Sequence, residues 1–178
     1  LGLSLTEIAE YYYDTGNLDH HLERLMNLRA VLDRNIQMLQ VRSAKQGDLT
    51  VHQVRLPRQV CFCRRYPCED TADAANKLRD TYIAAARTGM MSMNARMFTM
   101  RMDSACDGLD LMCCIPVHDG FTGAERKAFV ETPALCIYYR GSYEGIGPAI
   151  AALDAYVREN RVDTTGQSRS IYLEGPPS

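Results

Sequence analysis

Seven cysteines at positions 61, 63, 68, 106, 113, 114 and 136 are the first residues in this sequence that could do chemistry. Alternation along a strand would put Cys61 and Cys63 on one face. With Cys68 close by, these thiols form the kind of set that soft ions such as Zn or Cu(I) select. The count is odd and no paired CxxC knuckles occur, so the pattern specifies neither a disulfide framework nor a zinc site. Cysteine is among the most buried residue types and packs as a small hydrophobe. Free thiols in a core, with no metal and no cofactor, are therefore expected; a redox or metal role for Cys61, Cys63 and Cys68 is left open by the sequence. His20 and His21 stand together near the start of a helical pattern, and His52 and His118 have no Cys or His at ligand spacing. No nucleophile elbow, phosphate-cradling glycine loop or His-led triad occurs, so no catalytic residue is assigned.

The elements that must position these groups follow from periodicity. Ser4 and Glu7 have the spacing of a capping box and predict a short helix to about Asp14. From Leu18 to Leu39 the apolar residues recur three or four apart, predicting an amphipathic helix over 18–45. Leu18, Leu25, Leu32 and Leu39 keep a seven-residue repeat, as a coiled-coil seam does. After Gly47 the pattern turns to β: strands are predicted at 51–56, 60–66, 97–102, 109–117, 135–140 and 170–173, and helices at 70–88 and 146–160. The segments 97–102 and 109–117 read as a hairpin, and a polar loop is expected between 117 and 135.

Val60-Cys-Phe-Cys-Arg-Arg65 and Leu135-Cys-Ile-Tyr-Tyr-Arg140 match at an offset of 75 residues, and Glu69, Ala74 and Leu78 recur as Glu144, Ala149 and Leu153. Strand, turn and helix thus repeat in register, which implies an internal duplication. The fold class expected is α+β, with two copies of a strand-helix-strand-strand unit forming one curved antiparallel sheet, helices on one side and a concave centre on the other.

Leu3-Ser-Leu-Thr-Glu-Ile8 with the heptad helix resembles the end of a MerR-family DNA-binding head and its dimerisation helix. The duplicated half, with Tyr139-Arg-Gly-Ser-Tyr143 before a helix and Ile171-Tyr-Leu-Glu-Gly-Pro176 near the end, resembles the GyrI-like effector-binding domain of multidrug-sensing MerR regulators. The resemblance implies three parts: 1–15 as the end of the head, 16–46 as the dimerisation helix and 47–178 as the effector-binding domain. It implies a homodimer through 18–45, a lipophilic or aromatic small-molecule ligand, and DNA contact only through a winged-helix head that would precede Leu1. In the family the pocket lies at the pseudo-twofold axis, which this strand reading lines with Cys63, Phe98, Met112, Tyr139, Ser170 and Tyr172. Tyr143 and Glu144 open the second helix, Glu144 more as a cap than a ligand group, and Glu174 completes the candidate set. Cation-binding relatives carry a buried Glu where Ser170 stands, so a neutral aromatic ligand is expected here. The alternatives are a small hydrolase of the same fold and a metal- or thiol-responsive regulator.

Composition agrees with a sensor. Net charge is −2, from 20 basic and 22 acidic residues, which leaves no surplus to neutralise phosphates. No apolar run approaches the roughly 20 residues a membrane helix needs, and no secretory signal pattern opens the chain. A cytoplasmic protein is expected.

Overall fold

A computed structural model describes residues 18–43, 48–92, 95–102, 109–142 and 145–173. The helix expected before Asp14 and the turn joining the hairpin lie outside the described residues. The chain divides into two units, Leu1–Leu39 and Gln40–Ser178.

In the first unit, α1 (Leu18–Ser43) carries the leucine repeat. Leu18, Leu22, Leu25, Leu32, Ile36 and Leu39 are all exposed on it, between 47% and 64%. So many large apolar groups facing solvent at helical spacing form an unpartnered stripe.

The second unit begins with β1 (Val51–Leu56), β2 (Gln59–Cys68) and α2 (Thr71–Arg87). Asp70 caps α2 by accepting the Asp73 amide at 2.8 Å, satisfying a donor the helix start would leave bare. Leu78, Thr81 and Ala85 bury one face of this helix at spacings of three and four. The hairpin follows as expected, β3 (Phe98–Arg101) pairing antiparallel with β4 (Leu109–Val117).

Three expectations need correction. The segment expected to be polar loop contains a strand, β5 (Arg126–Phe129). The strand expected at 135–140 is β6 (Thr132–Ile137), which ends three residues early. The last strand, β7 (Arg169–Ile171), starts one residue earlier and ends two earlier than expected. Between them α3 (Gly147–Glu159) has its cap position at Ile146, without a side-chain cap bond. A proline in its first turn, Pro148, supplies helical φ instead.

The strands form a two-stranded sheet, β1-β6, and a five-stranded sheet ordered β5-β2-β4-β3-β7. The duplication is visible in their register. Adding 75 to Val51 gives Arg126, and subtracting 75 from Ile137 gives Phe62; Val51 pairs with Ile137, and Phe62 pairs with Arg126. The overlooked β5 is thus the repeat of β1, each strand bonding to the other copy's leading strand. β3 pairs with β7 where the copies meet. In the first copy β4 lies between β2 and β3; among the described residues no strand takes the matching place between β6 and β7.

Alternation gives the five-stranded sheet two faces. One packs on α2 through Val60, Phe62, Cys113, Ile115 and Val117. The other gathers Cys61, Phe98, Met100, Met112, Cys114 and Phe129. β3 and β5 are three strand spacings apart, roughly 14 Å in a flat sheet. Yet the Phe98 and Phe129 rings meet edge to face with centroids 5.2 Å apart. The sheet therefore curls toward this second face, which is its concave side.

Candidate functional site

The concave face assembles a site from every strand of the larger sheet. β3 supplies Phe98 and Met100, β4 Met112 and Cys114, β2 Cys61 and Cys63, β5 Lys127 and Phe129, and β7 Arg169. Phe98, Cys61 and Cys114 are fully buried, whereas Cys63, Met102 and Arg169 are half-buried, so solvent reaches the face along that rim.

Of the residues expected to line a pocket, Cys63, Phe98 and Met112 come together here. The others do not join them. Ser170 pairs with Thr99 on the α2 side of the sheet and is exposed. Tyr172 has the same parity, with its hydroxyl 3.2 Å from the Thr99 hydroxyl. Tyr139 follows the end of β6 and donates its hydroxyl to the Ser142 carbonyl at 3.0 Å. A Cβ at Gly141 or Gly145 would displace the Tyr139 hydroxyl from this position. Tyr143, Glu144 and Glu174 lie outside the described residues.

Sequence reasoning passed over Phe129, Lys127 and Arg169. Phe129 sits on the strand taken for a loop, because three of its four residues are exposed. The 75-residue offset applied to Val51 would have located it. Arg169 immediately precedes Ser170, from which a neutral ligand is expected.

Arg169 is the unusual group. Its guanidinium lies 5.0 Å from the Phe98 ring centre and 4.7 Å from that of Phe129. Such cation–π contacts tolerate partial desolvation. One terminal nitrogen is buried with no acceptor among the described residues. Burial pulls its pKa below the ordinary guanidinium value, opposed by the neighbouring Cys114 and Cys61. Lys127 adds a second cation, 5.9 Å from the Phe129 ring.

The thiols on this face differ in character. The Cys63 and Cys114 sulfurs are 3.4 Å apart. Hydrogen bonds from Cys114 and Cys61, with the charge of Lys127, hold the Cys63 thiol well below its usual range. Cys61 and Cys114 are pushed up, first by that same sharing with Cys63 and then by burial. Cys113, on the opposite face, is pushed up to about 11, chiefly by burial. Among the described residues no group of three Cys, His, Asp or Glu side chains is placed to hold a metal ion. A groove of about 410 Å³ runs along α1 in the first unit, lined by His20, Glu23, Arg24, Asn27, Leu28 and Val31. All six described lining residues come from one face of α1. No described helix is long and apolar enough to cross a membrane.

No family model and no curated protein matches this sequence. Solved structures do match its fold. The C-terminal domain of EcmrR aligns over 71% of this chain and 85% of its own, with a TM-score of 0.61 and 18% identity. EcmrR from the EcmrR-DNA complex in EcmrR-RPo aligns over 98% of this chain and 71% of its own, with a TM-score of 0.64 and 17% identity. SAV2435 bound to tetraphenylphosphonium aligns over 71% of this chain and 84% of its own, at a TM-score of 0.45 and 9% identity. The second unit has the α+β, GyrI-like fold of the EcmrR C-terminal domain.

Proposed function

We propose that this chain is the dimerisation helix and small-molecule sensor of a MerR-type transcription regulator, with a lipophilic, aromatic effector received on the concave face of the sheet. The observation that carries this is the convergence of Phe98, Phe129, Met100, Met112 and Cys63 on one curled face with a solvent-reached rim. Aromatic rings give large contact area at low entropic cost, and Met and Cys adapt to varied shapes, as a promiscuous site requires. The Arg169 guanidinium covers two rings that a planar ligand can take over, leaving the cation to pair with an anionic substituent. On this reading the site binds, and no catalytic role is assigned to any of its residues.

The exposed leucine stripe of α1 supports a homodimer through this helix. DNA contact would be made by another part of the longer protein, since this chain's net charge of −2 suits no phosphate backbone. The alignment of 98% of the chain with EcmrR in its DNA complex supports that arrangement. A regulator of this kind works in the cytoplasm.

The test is titration with N-phenyl-1-naphthylamine, followed by its fluorescence. Phe129→Leu keeps the apolar volume and removes one ring, and an aromatic contact of about 0.5–1.5 kcal/mol corresponds to roughly 2- to 12-fold weaker binding. Tyr172→Ala, on the other face, reports the competing placement. Weakening confined to Tyr172→Ala, or no probe binding at all, would refute the concave-face site.

A further inference from the structure

Cys63 and Cys114 are direct cross-strand partners on β2 and β4, with sulfurs 3.4 Å apart. The Cys63 amide donates to the Glu125 carbonyl at 2.8 Å, on the β5 side of the strand. A strand residue turns its N–H and C=O to the same side, so Cys63 and Cys114 form a non-hydrogen-bonded pair. Such pairs have Cα atoms about 4.5 Å apart, inside the roughly 4.4–6.8 Å range that a disulfide spans. Other neighbouring thiols lack this geometry: Cys61 and Cys63 follow one another along a single strand, and Cys113 lies on the α2 face.

Exposure divides the labour between the two. Cys63 is half-buried at the rim and Cys114 is fully buried behind it. An attacking thiol must meet its oxidant, while a resolving thiol need only reach the first sulfur. Lys127 and Arg169 make the face electropositive, the setting in which thiolates form.

We propose that Cys63 and Cys114 form a reversible redox switch in which a hydroperoxide closes a cross-strand disulfide on the concave face. The Cys63 thiolate attacks the terminal oxygen of the hydroperoxide; an S–O bond forms, the O–O bond breaks, and the alkoxide leaves with the proton as alcohol. Cys63 is then a sulfenic acid. Cys114 sulfur attacks it, an S–S bond forms, the S–O bond breaks, and hydroxide leaves with the Cys114 proton as water. Two thiols are oxidised by two electrons, and one peroxide is reduced to alcohol and water. Oxidation of Cys63 also removes the thiolate whose hydrogen bond and charge raise Cys114, leaving burial as the main remaining cause. The disulfide staples β2 to β4 and deletes a negative charge from the face, so the redox state would change what the face binds. A cellular dithiol restores the reduced form by exchange.

The experiment treats the whole chain with hydrogen peroxide, blocks remaining thiols and maps the peptides by mass spectrometry. The expected result is loss of two hydrogens and a single crosslink between the Cys63 and Cys114 peptides, reversed by dithiothreitol. Cys114→Ser should stop at a sulfenic acid on Cys63 that dimedone traps, Cys63→Ser should leave Cys114 reduced, and Cys61→Ser should still crosslink. Far-ultraviolet circular dichroism checks that each variant is folded. Iodoacetamide labelling supplies a second readout needing no variant. Cys63 labelling should change less than about twofold between pH 6 and 8, where an ordinary thiol near pKa 8.5 gains on the order of 80-fold. A crosslink between other cysteines, oxidation of Cys114 in Cys63→Ser at the native rate, or an ordinary pH profile at Cys63 would each overturn the proposal.

Discussion

Replacing Arg169 with Met tests the proposed ligand contact of this cation separately from its structural one. Its guanidinium lies 5.0 Å and 4.7 Å from two ring centres, so the substitution forfeits two cation–π contacts. At about 0.5–2 kcal/mol each, the loss is roughly 1–4 kcal/mol, at the low end for a half-exposed side chain. Against this, one buried nitrogen has no acceptor among the described residues. Removing an unsatisfied buried donor returns about 1–3 kcal/mol, and Met keeps the apolar contact of the arginine stem. The terms nearly cancel, so stability should shift by less than about 1 kcal/mol, or a few degrees in Tm. Ligand binding should respond far more. A charge-assisted hydrogen bond of about 1.5–3 kcal/mol corresponds to roughly 10- to 150-fold in Kd for an anionic ligand. The assay compares 8-anilinonaphthalene-1-sulfonate with N-phenyl-1-naphthylamine, which share the aromatic frame and differ in the sulfonate. The native protein should favour the anion, and Arg169→Met should abolish that preference while leaving the neutral probe within about threefold. An unchanged anion preference in the variant, or a preference for the neutral probe in the native protein, would refute the reasoning. The latter result would restore the expectation drawn from Ser170, that charge contributes little.

Two further outcomes follow from the core and the long helix. Leu78 is 1% exposed under the sheet, so Leu78→Ala should cost about 2–5 kcal/mol, read as a lower urea midpoint at unchanged slope; a loss below about 1 kcal/mol would show that α2 does not anchor this core. Leu25 and Leu32 are 47% and 59% exposed, so replacing both with Glu should convert a dimer to a monomer in sedimentation velocity. Native protein that sediments as a monomer at roughly tens of micromolar would remove the α1 dimer.

Local chemistry made much of the fold legible in the sequence. The leucine repeat and the β-type pattern of Val60 to Tyr66 act over a few residues, so α1 and β2 fall near where the pattern puts them, and α2 begins and ends within one residue of the expected 70–88. The 75-residue offset between Val60 and Leu135 is likewise a property of the chain alone. β5 was not legible, because a four-residue strand with one buried side chain carries almost no periodic signal; it forms because β2 offers a free edge in matching register. β6 stops at Ile137 although the sequence runs on like its twin, and the Tyr139 hydroxyl donates to the Ser142 carbonyl beside two glycines. Parity decided which of the candidate residues share a face. One strand residue more or less moves a side chain to the other face, so Cys63, Phe98 and Met112 meet while Ser170 and Tyr172 lie behind the sheet. The sequence determined that Arg169, Phe98, Phe129, Cys63 and Cys114 exist; that they share one concave surface follows from the curl of a sheet whose strands lie up to 73 residues apart in the pair Phe98 and Ile171, a distance over which no local pattern acts.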